Sequence, residues 1–301
     1  MSGDTGKSAG SRLLCLGLGY TARALAHRLA RRGFAIDGSA RTSEGAAAIT
    51  AVGWQGHVLD GGRQSPRLDA ALATASHLLI SAPPEAAGDP VLLALGPAIA
   101  AAPSLGWIGY LSTVGVYGDH QGAWIDETTM PRDPGPRGQR RLAAEAGWLD
   151  LGARSGKRVE IFRLPGIYGP GRSAIDQVLA GTARRIIKPG QVFNRMHVDD
   201  IAGALEAALS GPARYQVYNL VDDEPAPPQD VLAFAAMLLG APVPPAIDFE
   251  EARLTPMAAS FYAESKRASN RRMKEALGYR PAYPTYREGL RAIEAATGRS
   301  T

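Results

Sequence analysis

The chain runs to 301 residues, 45% of them hydrophobic, which is enough for one large α/β domain or for a domain with a smaller lobe. Its formal net charge of +4, with basic residues scattered apart from Arg137-Gly138-Gln139-Arg140-Arg141 and Arg271-Arg272, is too small for a nucleic-acid footprint and suits a small anionic molecule. The single cysteine, Cys15, excludes an internal disulfide and a cysteine metal site. With no apolar run of about 18 residues and no charged-then-apolar start, the expected protein is soluble and cytoplasmic, with no membrane partner.

In chain order, residues 1–11 are polar and glycine-rich and are expected to form a disordered tail. Gly6-Lys7-Ser8 within it has neither the preceding strand nor the correctly spaced glycine of a phosphate loop. The apolar run 12–16 then predicts a first strand, which enters Gly17-Leu18-Gly19-Tyr20-Thr21-Ala22 and a helix over 21–32. In this Gly-x-Gly-x-x-Ala turn, Gly17 allows a tight turn off the strand and Gly19 lets a pyrophosphate approach the backbone. Ala22 lets the helix pack close to the sheet, and the helix presents its positive end to the phosphates. The turn predicts dinucleotide binding. Cys15, inside the strand, is read as buried filler.

Further strands are expected at 34–40, 54–59, 77–82, 106–113 and 158–164, alternating with helices at 43–52, 70–75, 90–102 and 138–151. Strands apolar on both faces that alternate with helices imply a Rossmann-type, doubly wound parallel sheet with helices on both sides. After about residue 165 the rhythm loosens into Pro- and Gly-rich turns, with helices expected at 198–209, 228–239 and 267–277. The expected organisation is a dinucleotide-binding domain over 12–165, to which 190–220 returns, and a smaller C-terminal substrate lobe from 166–189 and 221–295.

Five groups of residues follow in order: Leu111-Ser112-Thr113 with Val116-Tyr117-Gly118; Phe162-Arg163-Leu164-Pro165-Gly166-Ile167-Tyr168-Gly169-Pro170-Gly171; His197-Val198-Asp199-Asp200-Ile201; Tyr218-Asn219-Leu220; and Lys266-Arg267 with Asn270, Leu277-Gly278-Tyr279 and Pro284. Together with the glycine turn, this order resembles the extended, and more closely the atypical, short-chain dehydrogenase/reductases, which include NAD(P)-dependent sugar epimerases and dehydratases. The resemblance implies a catalytic Ser/Thr and a Tyr-x-x-x-Lys pair, the tyrosine moving the proton that accompanies hydride transfer. With Glu145 aligned on the glutamate that usually follows the lysine by four residues, Arg141 stands at the lysine position and Arg137 at the tyrosine position, while Thr113 takes the Ser/Thr position. The family tyrosine is missing. A guanidinium can donate hydrogen bonds to ribose or substrate but cannot act as a general acid near neutrality.

Tyr117 and Tyr168, in loops at the carboxyl ends of strands, are candidates to replace the missing donor, against packing under the lobe. Arg172 is a candidate anion clamp against a surface ion pair. His197 is a candidate substrate contact against capping of the helix at Val198 by the pair Asp199-Asp200. His120 lies on a glycine-rich loop and is expected to be exposed. The five histidines show no ligand spacing, so no metal is expected. For the cofactor, Asp37 sits too early in its strand to hold a ribose. The strand ends at Ser39-Ala40-Arg41-Thr42, where Arg41 and Ser39 suit a 2′-phosphate, so NADP is expected over NAD. By the resemblance, Asp60 lies near the adenine, Ser81, Ala82 and Pro83 flank ribose and pyrophosphate, and Pro165 and Gly166 lie against the nicotinamide. The expected function is an NADP(H)-dependent oxidoreductase or epimerase-like enzyme acting on a small polar substrate, sugar-derived or phosphorylated among the options, with a homodimer allowed. The alternative is a non-catalytic NADP(H)-binding redox sensor.

Overall fold

The structure, a computed structural model, describes residues 10–60 and 66–298. Most of the expected tail, with Gly6-Lys7-Ser8, lies outside them. In the first half, β1 (Arg12–Leu16), α1 (Tyr20–Ala30), β2 (Ala35–Ala40), α2 (Ser43–Ala51), β3 (Gln55–Val58), α3 (Pro66–Thr74), β4 (His77–Ile80), α4 (Pro90–Ala101) and β5 (Trp107–Thr113) alternate as the sequence predicts. There follow β6 (Trp124–Ile125), α5 (Gly135–Ser155), β7 (Arg158–Leu164), β8 (Gly166–Tyr168), α6 (Ala174–Leu179), β9 (Arg185–Ile187), β10 (Arg195–His197), α7 (Val198–Ser210) and β11 (Val217–Asn219). The chain closes with α8 (Pro228–Leu238), β12 (Ala246–Asp248), α9 (Pro256–Tyr262), β13 (Arg267–Ala268), α10 (Arg271–Ala276) and α11 (Tyr286–Ala296).

Seven strands form the central sheet in the order β11-β7-β5-β4-β1-β2-β3. β1 runs parallel to both β2 and β4, with Leu14 opposite Asp37 and Leu78. The chain winds outward from β1 through β2 to β3, then returns to the other side of β1 for β4. This reversal is the switch point at which open α/β sheets bind ligands beyond the carboxyl ends of their strands. The Rossmann-type fold expected from the sequence is borne out.

Chain contacts divide the molecule into two compact units. One takes the chain to Ser112 together with Gln139–Phe162 and Ala202–Tyr218; the other comprises Thr113–Gly138, Arg163–Ile201 and the stretch from Asn219 onward. In the first unit Leu14 and Leu16 point into a core shared with Leu68, Ile99 and Trp148, from α3, α4 and α5. Strand alternation turns Leu13 and Cys15 to the opposite face, where they are also buried. Burial pushes the Cys15 thiol up, consistent with filler. On the surface Arg28 and Arg32 of α1 hold Glu206 of α7. In the second unit Tyr168, Ile175, Leu232, Tyr286 and Leu290 form a separate core.

Several elements differ from expectation: α6, α9 and α11 fall where no helix was expected, and α3 begins at Pro66 rather than at 70. No helix begins at 267: Arg267 and Ala268 pair with Trp124 and Ile125, and the helix starts at Arg271. The pairing partner is remote in sequence, so the local helical pattern could not show it. The helix expected over 138–151 extends to Gly135–Ser155.

Trp148 is fully buried, and its indole Nε1–H donates to Asp89 Oδ2 at 3.1 Å. The same carboxylate caps α4 by accepting from Val91 N and Leu92 N. Trp148→Phe keeps an aromatic ring but removes this donor and some volume, and is expected to cost about 2 kcal/mol. Urea unfolding should show a lower midpoint at unchanged slope; an unchanged midpoint would contradict the assignment.

Candidate dinucleotide site and the second unit's polar cluster

The glycine turn is built from three strand ends. Gly17 has φ +90°, and a Cβ there would lie 3.0 Å from Ala82 N, so both the turn and the close approach require glycine. Gly17 N donates to Ser39 Oγ at 2.9 Å and Leu18 N to Ser39 O at 2.9 Å. From the other side, Ser81 N and Ala82 N both donate to Leu16 O, at 2.9 and 3.2 Å. β2 and β4 thereby clamp the end of β1.

Beyond the clamp the structure opens. Gly19 is the N-cap of α1 with no side-chain cap, the first turn carries no acidic residue, and a Cβ on Gly19 would meet nothing within 4 Å. The amide end of an eleven-residue helix thus faces space of the right character for a diphosphate. Thr21 and Ala22 are buried beneath it, with Tyr20 half-buried. These features fit a dinucleotide.

The adjoining residues divide. Ser39 is buried with its hydroxyl turned to Gly17, so it shapes the turn rather than standing ready for a phosphate. Thr42 caps α2, accepting from Gly45 N at 3.1 Å. Arg41 is exposed just past β2, Asp60 is exposed past β3, and Pro83 is exposed past β4. Asp37 lies within β2, three residues before the strand ends at Ala40. It is buried between Arg12 Nη1 at 2.5 Å and His57 Nε2 at 2.9 Å.

In the same unit α5 is fastened to β5 by residues one turn apart. Arg141 Nη1 donates to Leu111 O at 2.7 Å and to the Tyr110 hydroxyl at 3.1 Å, and Ser112 Oγ donates to Glu145 Oε1 at 2.5 Å. Burial pushes the Tyr110 hydroxyl up to about 12, with Arg141 opposing the rise. Arg141 keeps further N–H groups, but part of its guanidinium braces the strand. Tyr110 was missed by sequence reasoning because it reads as an ordinary strand residue.

The second unit holds the other candidates. Thr113 ends β5 half-buried, its Oγ1 accepting from Gly115 N at 3.1 Å. Tyr117 is fully buried: its hydroxyl donates to Asn219 Oδ1 at 2.8 Å, and the Arg163 guanidinium lies 4.7 Å from its ring centroid. The Tyr168 hydroxyl points at α11, where a Cβ on Gly289 would lie 2.2 Å from it. Burial, with Asp222 and Asp200 adding to it, pushes that hydroxyl up. The expectation that Tyr117 or Tyr168 replaces the missing proton donor is therefore not supported.

His197 is buried between Tyr168 and Tyr283, at ring distances of 5.2 and 4.3 Å, and its Nδ1 accepts from Asp199 N at 3.2 Å. Burial lowers its pKa against the pull of Asp199 and Asp200. Asp200 accepts from the Tyr279 hydroxyl, Ala282 N and Tyr283 N, which ties the C-terminal segment to α7. His120 is buried rather than exposed, with Nε2 at 3.1 Å from Tyr117 O. Arg172 is exposed in a turn closed by its own backbone with Gly169. Pro165 and Gly166 join β7 to β8, where Gly166 N donates to Asn194 O. Arg137 is exposed at the start of α5, its guanidinium 5.9 Å from the Phe261 ring centroid. Among the described residues no His, Cys, Asp and Glu group could hold a metal, and no helix is long and apolar enough to cross a membrane.

No protein-family model matches the chain. Protein YeeZ of Escherichia coli strain K12 is 31% identical over 220 residues, which span 69% of this chain and 77% of YeeZ. The chain belongs to the YeeZ family. A conserved protein of unknown function from Silicibacter pomeroyi DSS superposes with a TM-score of 0.86 at 50% identity, over 95% of this chain and 99% of that one. UDP-glucose 4-epimerase of Thermus thermophilus, solved with NAD, superposes with a TM-score of 0.73 at 20% identity, over 96% of this chain and 100% of that one. The fold is thus that of the NAD-dependent epimerases and dehydratases among the short-chain dehydrogenase/reductases, the superfamily the motifs resemble.

Beside Tyr168 this YeeZ relative carries a carboxyl group with no ion-pair partner at contact distance among the described residues. Asp222 is buried; Oδ1 accepts from Glu224 N at 3.2 Å, while Oδ2 has no hydrogen-bond partner among the described residues. Burial holds its carboxyl well above the usual range, helped by Asp223 and Glu224 and opposed by Arg195. The native state therefore keeps a proton that the unfolded chain has lost, so this group reduces stability as pH rises from about 4. Asp222→Asn is expected to raise Tm at pH 8 by about 2–4 °C per kcal/mol gained, with the difference vanishing near pH 4. A lower Tm at pH 8 would show that the ionised carboxylate is stabilising.

Proposed function

We propose that the chain is a nicotinamide-dinucleotide-dependent oxidoreductase acting on a small polar substrate, with NADP(H) preferred over NAD(H). The observation that carries the reading is the open, uncapped amide end of α1 at the switch point of the sheet, behind a turn that only glycine fits. A bound nicotinamide would supply hydride chemistry there. Gly17, Gly19 and the first turn of α1 would hold the diphosphate, and Ser81, Ala82 and Pro83 would flank it. Asp60 would lie toward the adenine.

The NADP(H) preference rests on charge at the end of β2. The one carboxylate in that strand, Asp37, is committed to Arg12 and His57, and exposed Arg41 follows the strand directly. A guanidinium there favours a 2′-phosphate by a charge-assisted hydrogen bond. Arg41→Ala is expected to weaken NADPH binding about tenfold, or about 1.4 kcal/mol, and to leave NADH nearly unchanged. Fluorescence titration of both nucleotides checks this; NADH binding as tight as NADPH, or no effect of the substitution on NADPH, would refute the preference.

The engaged hydroxyls of Tyr117 and Tyr168 favour a second reading, a non-catalytic NADP(H)-binding sensor. Thr113 and Arg141 favour the enzyme, since a sensor needs neither a hydroxyl at the carbonyl position nor a cation at the ribose position. Loss of reduced cofactor with a panel of aldehydes, ketones and nucleotide sugars decides between them. Turnover lost in Thr113→Ala supports the enzyme. Tight binding without turnover, with a partner protein whose affinity follows the redox state, supports the sensor.

A further inference from the structure

Within the first unit, β2 carries a carboxylate in the interior of the parallel sheet. Asp37 stands opposite Leu14 of β1 and Gln55 of β3. Its partners come along the two diagonals, each two residues from a direct neighbour and so on the same face. Arg12 Nη1 reaches it from β1 at 2.5 Å and His57 Nε2 from β3 at 2.9 Å. The Asp37 side chain is 2% exposed and that of His57 6%, and His57 Nδ1 is buried with no hydrogen-bond partner among the described residues. Burying a charge and an unsatisfied nitrogen is unfavourable, and apolar side chains of similar volume are often neutral or stabilising in such places. Stability is therefore a weak reason for this trio. What a buried charge bridge supplies well is register.

Side-chain packing does little to fix register in these two strands. Beyond Asp37, β2 continues as Gly38-Ser39-Ala40, which offers small side chains or none. β3 is a four-residue strand at the edge of the sheet, and His57 is its one buried residue. A slip of β2 by one residue would turn the carboxylate to the opposite face, away from both partners.

The strand ends beyond this bridge carry the candidate nucleotide contacts. Two residues after Asp37, Ser39 accepts from Gly17 N through its hydroxyl and from Leu18 N through its carbonyl, both at 2.9 Å. Ala40 O accepts from Leu59 N at 2.9 Å, directly before Asp60, and Arg41 follows Ala40. Resting on the dinucleotide reading above, we infer that Asp37, with Arg12 and His57, is the positioning group of the cofactor site. It locks β2 and β3 in register with β1, so that Ser39 shapes the glycine turn and Arg41 falls just beyond the strand end. Asp37 itself touches no nucleotide; it acts through Ser39 and Arg41. Its removal strands no deeply buried cation, because the Arg12 side chain is 33% exposed and can turn to solvent.

Asp37→Leu in the full-length protein tests the inference. Its melting temperature is expected to match or exceed that of the unsubstituted protein. In the folded protein NADPH binding should weaken about tenfold and NADH binding by less, since both nucleotides use the turn and only NADPH uses Arg41. Without nucleotide, the amides of Gly17 and Leu18, which donate to Ser39, should exchange faster with solvent deuterium. A lower melting temperature with both affinities and both amides unchanged would make the trio merely structural and overturn the inference. His57 supplies a second test at the edge strand, which stands even if Asp37→Leu does not fold. His57→Leu removes the donor and should weaken NADPH binding about threefold, while His57→Gln keeps an N–H for the carboxylate and should restore it. Equal NADPH affinity in His57→Leu and the unsubstituted protein would overturn the inference. Failure of the unsubstituted protein to bind either nucleotide would overturn the dinucleotide reading instead, and exchange at Gly17 and Leu18 in Asp37→Leu would still decide the role of Asp37.

Discussion

A peptide turn at Gly17 organises the first unit. To leave β1 and enter α1 at once, the chain must take a positive φ at a point where the backbone of Ala82 is already in van der Waals contact. Three strand ends meet there, because Ser39 on β2 receives Gly17 N while Leu16 O on β1 receives both Ser81 N and Ala82 N. A helix launched this way cannot cap itself with a side chain of its own, and its amide end is left facing open space. The feature that completes the backbone geometry also creates the anion site.

Elsewhere side chains do the fastening. Arg141 and Glu145, one turn apart on α5, reach Leu111 and Ser112 near the end of β5. Asp89 serves Trp148 and the start of α4 together. In the second unit Asp200 satisfies three donors from the C-terminal segment, and Asn219 accepts from Tyr117 while its own amide reaches Glu127. These contacts commit polar groups to holding the fold together.

The glycine turn, the strand and helix alternation and the position of Asp37 short of the strand end were legible because each depends on near neighbours: a two-glycine spacing, a period, a position counted along one strand. The Arg267 strand was not legible, because what makes it a strand is Trp124, far away in sequence. The tyrosines show the same limit. Tyr117 and Tyr168 sit in loops at strand ends, where ligand contact is the natural expectation. Their hydroxyls are instead claimed by Asn219 and by the surface of α11 around Gly289, partners more than a hundred residues on. His120 looked exposed because glycines surround it, yet its ring turns back onto the carbonyl of Tyr117. The expected absence of the family tyrosine came from aligning Glu145; that the Tyr117 hydroxyl is engaged by Asn219 and the Tyr168 hydroxyl faces α11 needed the coordinates.

The most direct test of the account is amide hydrogen exchange with and without saturating reduced dinucleotide. Amides of 17–22 at the glycine turn and the start of α1 should exchange more slowly when it is bound, together with those of 81–83 beyond β4. Protection confined to other segments, or no change over 17–22 under conditions where the nucleotide is shown to be bound, would contradict the assignment of the site on which the functional reading rests.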